Sequence, residues 1–267
     1  MKLRRKTVLL PAQKVLTAAL FCIIIFICNS CRTINRTAGQ IPLPDRTVVF
    51  TFDDGPNAHG DTTARLLDVL KKHHIRGMFA LLGENAEHNP ELVKRIHHEG
   101  HYLINHGYSD TWAASLKDEE FRINLEKGEA AITAALGKEL NPRFYRPQGG
   151  YYKKGQQKIW QEAGYTLAPA TARVYDAVLT ESGKDRAVKE LVSIIERQGG
   201  GIIILHDARD SHVLMEAKLA KKSEGVFNRT WIPGAVEEII ILLEEKGYRL
   251  RDFDIPRLLS VQSESYD

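Results

Sequence analysis

Apolar and polar positions along the chain follow two periods in turn. TVVFTF, residues 47–52, is a β-branched and aromatic run that reads as a first strand. DTTARLLDVLKKHH (61–74) then sets Leu66, Val69 and Leu70 at helical spacing, with Asp61 or Thr62 as the cap. GMFALLG (77–83) is a second strand. NPELVKRIHHEG (89–100) is a helix with Pro90 just inside its start and Gly100 at its end. HYLIN (101–105) is a third strand, and a longer helix is predicted over residues 115–137. RFYR (143–146) and YTLAPA (165–170) are further strands, separated by the helix QQKIWQEAG (156–164). DRAVKELVSIIERQGG (185–200) carries Val188, Leu191, Val192 and Ile195 on one helical face. GIIILHD (201–207) is a continuous apolar run, as expected of a strand covered on both faces. PGAVEEIIILLEEKG (233–247) is the last long helix, and YRLRDF (248–253) follows it and completes a count of seven strands.

Strands alternating with helices predict a parallel α/β barrel or a doubly wound sheet. In both, chemistry collects at the C-terminal ends of the strands. Reactive side chains fall at those ends here: Asp53 and Asp54 after the first strand, His106 after the third, Arg146 closing the fourth, His206 and Asp207 closing the sixth.

A chain of 267 residues, 43% hydrophobic and 27% charged, is long enough for one such domain with a large core. The net charge of +3 comes without a basic patch interleaved with aromatics, so no nucleic-acid partner is expected. All three cysteines, Cys22, Cys28 and Cys31, precede residue 32, so no thiol chemistry or disulfide serves the main body. Basic KLRRK and the apolar run VLTAALFCIIIFIC (15–28) read as an export signal; the run is short of the roughly 20 residues of a membrane span. CNSC follows, and resembles a relaxed bacterial lipoprotein signal in which Cys31 is lipidated and becomes the mature N-terminus. An uncleaved anchor and ordinary secretion are the alternatives, and all three place the body outside the cytoplasm. The expected organisation is a signal segment over 1–31, a polar linker over 32–46, one domain over 47–255 and a tail over 256–267. A monomer is expected.

On residue types alone, the Asp-Asp-Gly-Pro of TFDDGP reads equally as a turn or as a site. The order TFDDGP, NHGYSD, YRPQGG, ILHD, over roughly residues 45–253, resembles the polysaccharide deacetylases: the NodB-homology domains, or carbohydrate esterase family four. That resemblance implies a distorted (β/α)7 barrel. It also implies a hydrolase acting on carbon–nitrogen bonds other than peptide bonds, which takes N-acetyl groups from a cell-envelope or extracellular glycan. An O-acetyl (xylan-type) esterase on the same fold, or a catalytically weak glycan-binding lipoprotein, are the alternatives. The implied cofactor is a divalent metal ion, Zn2+ first and Mn2+, Co2+ or Ni2+ as options.

Carried over by motif, Asp53 is the general base and Asp54 a metal ligand. His106 is a second ligand. Gly107 stands where the family has a hydroxyl residue, and Asp110 where it has a second ligating histidine. Asp110 then reads as a third ligand through oxygen, or as a cap for the helix near residue 115. Arg146 orients the catalytic aspartate through a bidentate-capable guanidinium. Pro147, Gln148, Gly149 and Gly150 follow it where the family has a different loop, and Gly149 is the nearest oxyanion donor. Asp176 in VYDAV would support that arginine, although the tryptophan expected beside it is missing. Leu205 would line the acetyl pocket, and His206 would be the general acid. Trp112 reads as a sugar platform or as core. His73, His74, His97 and His98 sit near helix ends, where an imidazole suits the dipole.

Overall fold

The computed structural model describes residues 34–36, 43–209, 225–251 and 254–260. The signal segment, Cys31 and most of the linker lie outside these residues. In chain order the elements are β1 (Ile34–Arg36), β2 (Val48–Asp53), α1 (Thr62–Lys72), β3 (Met78–Leu81), α2 (Gly83–His88), α3 (Pro90–His98) and β4 (Tyr102–Asn105). Then come α4 (Asp118–Leu136), β5 (Phe144–Tyr145), β6 (Tyr151–Lys153), α5 (Lys154–Glu162), β7 (Thr166–Leu167) and β8 (Ala172–Arg173). The chain continues with α6 (Lys184–Gln198), β9 (Gly201–His206), α7 (Ile232–Glu245) and α8 (Ile255–Ser260).

The main sheet has seven strands in the order β7-β5-β4-β3-β2-β9-β8, with every pairing parallel. Its end strands β7 and β8 are not hydrogen-bonded to each other, so the barrel is curled but unclosed. This is the predicted fold class, with the seventh strand placed differently. YRLRDF contributes only the isolated bridge Thr47–Arg249, and β8 takes the edge beside β9. Strand β1 lies inside the segment read as linker and pairs antiparallel with β6. Helix α8 likewise begins inside the domain's core, since Ile255 and Leu259 are buried; the domain therefore runs past residue 255.

Side-chain alternation sorts the two faces of each strand. Val48, Phe50 and Phe52 of β2 and Ile203 and Leu205 of β9 face the helices, where Leu66, Leu70, Val188, Leu191, Val236 and Ile240 complete the larger core. Val49, Met78, Ala80, Ile104, Phe144 and Ile202 face the other way and form a second core, capped by Ile255 and Leu259. At the C-terminal ends this inner face turns polar. Thr51 and Asp53 continue the Val49 face, Arg146 the Phe144 face, and His206 the Ile202 face. Register does the rest: Asp53 is the ladder partner of His206, and the next strands are aligned through Asp53–Ala80, Leu81–Asn105 and Asn105–Tyr145.

Candidate active site

The polar end of the inner face opens into a cavity of about 270 Å³, lined by Asp53, Asp54, His106, Arg146 and His206 among others. Asp53 and Arg146 are both buried, and Arg146 Nη1 donates to Asp53 Oδ1 at 2.5 Å. Every other nitrogen is engaged as well: Nη1 also donates to Thr51 Oγ1 (2.8 Å), Nε to the Ala168 carbonyl (3.0 Å) and Nη2 to the Pro169 carbonyl (2.9 Å). A guanidinium tied at every edge holds its carboxylate in one orientation.

Asp54 is a non-glycine residue in the left-handed region (φ +72°), a conformation that costs energy and concentrates at functional sites. Asn85 Nδ2 donates to its carbonyl at 2.6 Å and helps hold it there. Its Oδ1 lies 3.5 Å from His106 Nε2, while Asp53 Oδ2 is 3.9 Å from the same nitrogen. His106 Nδ1 bonds to the Arg146 carbonyl at 2.7 Å, which directs Nε2 into the cavity. Burial disfavours the charged His106 ring. The Asp54 hydrogen bond and the charges of Asp53 and Asp54 outweigh it, so the imidazole titrates above its ordinary value. Asp54 moves the opposite way. Burial pushes it up, but its bond to His106 and the charges of His206 and His106 bring it below the usual carboxylate value.

Asp54 Oδ1 and His106 Nε2 face each other at the cavity, 3.5 Å apart, and an oxygen–imidazole pair is a suitable donor set for a divalent ion. These two side chains therefore fit the implied metal. Asp110 lines the same cavity. Among the described residues, however, no group of three or more His, Cys, Asp or Glu side chains is gathered as a metal cluster. Asp110 also does not cap α4, where Lys117 occupies the cap position.

His206 bonds through Nδ1 to Asp176 Oδ1 at 2.9 Å, and its backbone N–H donates to Asp176 Oδ2 at 2.9 Å. Burial opposes a charge on this ring, but the Asp176 charge and hydrogen bond, helped by Asp54 and Asp53, push it up to about 9. Asp176 is fully buried and does not touch Arg146, contrary to the expectation from its motif. It supports the histidine instead, because β8 and the turn after it run beside β9. Its own cation is Arg229, which the sequence reading passed over. Nη2 of that residue donates to Asp176 Oδ2 at 2.6 Å, Nη1 to the Asp176 carbonyl at 2.9 Å and Nε to the His206 carbonyl at 3.1 Å. In sequence, FNRTW looks like a polar lead-in to α7, and nothing local marks the arginine as buried.

Leu205 is also corrected. It packs in the helix-facing core at 1% exposure, and Ile204 lines the cavity in its place. Gly149 does line the cavity, in a left-handed conformation (φ +71°), with the Trp112 ring 3.2 Å from where a Cβ would lie. Trp112 is 64% exposed, so it is a rim residue and not core.

Two departures from the family's motifs fit each other. A Cβ on Gly107 would lie 1.8 Å from Gln148 Nε2. The buried Gln148 side chain fills that space and donates to the Ser109 carbonyl at 3.1 Å. Glycine at 107 thus suits its left-handed backbone (φ +78°) and leaves room for Gln148 and for Asn124 Nδ2, which a Cβ would approach to 2.6 Å.

The family model described as polysaccharide deacetylase matches residues 40–168, which include Asp53, Asp54, His106 and Arg146. A peptidoglycan-N-acetylglucosamine deacetylase of Bacillus cereus is 38% identical over 126 residues, 47% of this chain; the match spans 44% of that relative, less than half its length. A chitooligosaccharide deacetylase of a Bradyrhizobium species is 31% identical over 174 residues, 65% of this chain and 76% of the relative. The crystal structure of the Bc1960 peptidoglycan N-acetylglucosamine deacetylase with 4-naphthalen-1-yl-N-oxidanyl-benzamide superposes with a TM-score of 0.65 at 27% identity. It covers 84% of this chain and 94% of that one.

Proposed function

The chain belongs to the polysaccharide deacetylase family, and on that premise we propose that it is an exported hydrolase removing N-acetyl groups from a glycan of the bacterial cell envelope. One observation carries the reading. Two acid–base groups from adjacent strands face one cavity, Asp53 held by Arg146 and His206 held by Asp176. Asp53, tied at Oδ1, presents its other oxygen as a proton acceptor for an attacking water. His206, raised to about 9, is protonated at neutral pH and is the donor to the departing amine. Asp176 keeps that ring oriented and charged, and Arg229 holds Asp176 in place. The N–H of Gly149, which also lines the cavity, is the oxyanion donor in this reading.

Asp54 and His106, with Asp110 as third ligand, would hold a divalent ion, zinc by family precedent. Such an ion, when bound, polarises the acetyl carbonyl and acidifies water. Lipidation at Cys31 would tether the domain to the membrane; among the described residues no helix is long and apolar enough to cross one.

The test is acetate release by the full chain from N-acetylated chito-oligosaccharides and from O-acetylated xylan. Release from the first and not the second supports the reading. Release from xylan alone would replace it with an ester hydrolase, and release from neither would remove it.

A further inference from the structure

Arg173 ends β8, beside catalytic strand β9, and lines the cavity. It therefore occupies the strand end at which this architecture gathers its working residues. The other strand-end arginine, Arg146, is consumed by its hydrogen bonds and its ion pair with Asp53. Arg173 is different. Its half-buried guanidinium makes no ion pair and no hydrogen bond with any described residue. It lies over the Tyr175 ring, 5.2 Å from the centroid.

Stacking on a ring leaves the N–H edge of a guanidinium free, and that edge matches a planar carboxylate through two bonds. A partly desolvated cation with no counter-ion among the described residues is stabilised most by an anion brought by the ligand. The surroundings favour a sugar. Tyr175 is 71% and Trp112 64% exposed, and both lie on the cavity rim, where an apolar surface large enough to stack a pyranose is otherwise unexplained. Three carboxylates, Asp53, Asp54 and Asp110, line the same cavity, so a singly charged carboxylate is tolerated there better than a dianionic phosphate.

We propose that Arg173 is a specificity-determining residue that binds a carboxylate carried by the acetylated sugar or its neighbour, so that the preferred substrate is an anionic N-acetylated glycan. This rests on the deacetylase reading and narrows it.

The experiment compares two N-acetylated oligosaccharides that differ in one group. One carries a lactyl ether with a free carboxylate; the other carries the same ether as its methyl ester. Acetate release and, separately, calorimetric binding are measured for the full-length wild type, Arg173→Gln and Arg173→Lys. The wild type is expected to prefer the carboxylate in kcat/KM by about tenfold or more, the scale of a charge-assisted hydrogen bond. The ratio should collapse toward one in Arg173→Gln, survive in part in Arg173→Lys, and shrink with added salt. Equal kcat/KM and equal binding of the two ligands by wild type, or an undiminished ratio in Arg173→Gln, would overturn the inference. A carboxylate preference in binding, lost in Arg173→Gln, with no acetate released from either ligand, would uphold the Arg173 assignment and sink the deacetylase reading alone.

Discussion

Replacing Asp176 with Asn keeps the shape of the side chain and removes the charge that raises His206. The His206 side chain is 20% exposed, and partial burial alone drives an imidazole below its ordinary value near 6.5; Asp176, by charge and by hydrogen bond, leads the contributions that carry it up to about 9. The span from 6.5 to 9 is worth roughly 3 kcal/mol. At pH 8 a ring titrating at 9 is about nine-tenths protonated, and one at 6.5 about 3%, so loss of the acid form alone should slow turnover roughly 30-fold. Arg229, left facing an amide in place of Asp176 Oδ2, adds to the loss. The direct assay is NMR titration of the His206 ring proton in metal-free wild type and Asp176→Asn. The variant's midpoint should fall to 6.5 or below, and the basic limb of the pH–rate profile should move down with it. The same midpoint in both proteins would refute the coupling between Asp176 and His206 on which the acid role depends.

Other expectations follow from neighbouring contacts. Asp207 is fully buried, with Oδ1 unpartnered among the described residues, and burial raises its pKa from 3.8 to about 7. Between about pH 4 and pH 7 the folded state then holds the extra proton, so its contribution is full below pH 4 and is lost as pH rises through 7. Asp207→Asn should abolish that loss, and its stability relative to wild type should improve by roughly 4 kcal/mol from pH 4 to pH 8 in denaturant melts. No change in the difference would show that Asp207 titrates normally. Gly107→Ser should destabilise the domain by about 1–3 kcal/mol through its left-handed backbone (φ +78°) and overlap with Gln148 and Asn124, and Gln148→Gly should relieve the Gln148 part of that cost in a double-mutant cycle; additive effects would contradict the fit of the two residues. Asp110→Ala should weaken affinity for zinc or manganese about tenfold or more, read by metal titration, and equal affinities would show that Asp110 is not a ligand.

Most of the site was legible because a strand's period is two. TVVFTFDD fixes which residues share a face with Asp53, and the same count places His106, Arg146 and His206 on the inner side. The apolar run GIIIL has no polar alternation of its own, and the cavity position expected for Leu205 rests on motif resemblance, whereas the count back from His206 puts Leu205 on the helix-facing side. Strand β8 is only Ala172–Arg173, too short for any periodicity, so nothing local places Asp176 beside His206, and the motif resemblance points it to Arg146 instead. Arg229 lies 53 residues from Asp176, and the fit of Gly107 to Gln148 spans distant loops. Such pairings arise from the closure of the sheet and have no local signal.

The central claim is that Asp53 and His206 work as base and acid in removing an N-acetyl group. Its most direct measurement is acetate release from an N-acetylated chito-oligosaccharide by wild type, Asp53→Asn and His206→Asn, each checked for folding by circular dichroism. The account predicts release by wild type and a loss of roughly 100-fold or more in kcat for each folded variant. Folded variants that release acetate within a few-fold of wild type would contradict it.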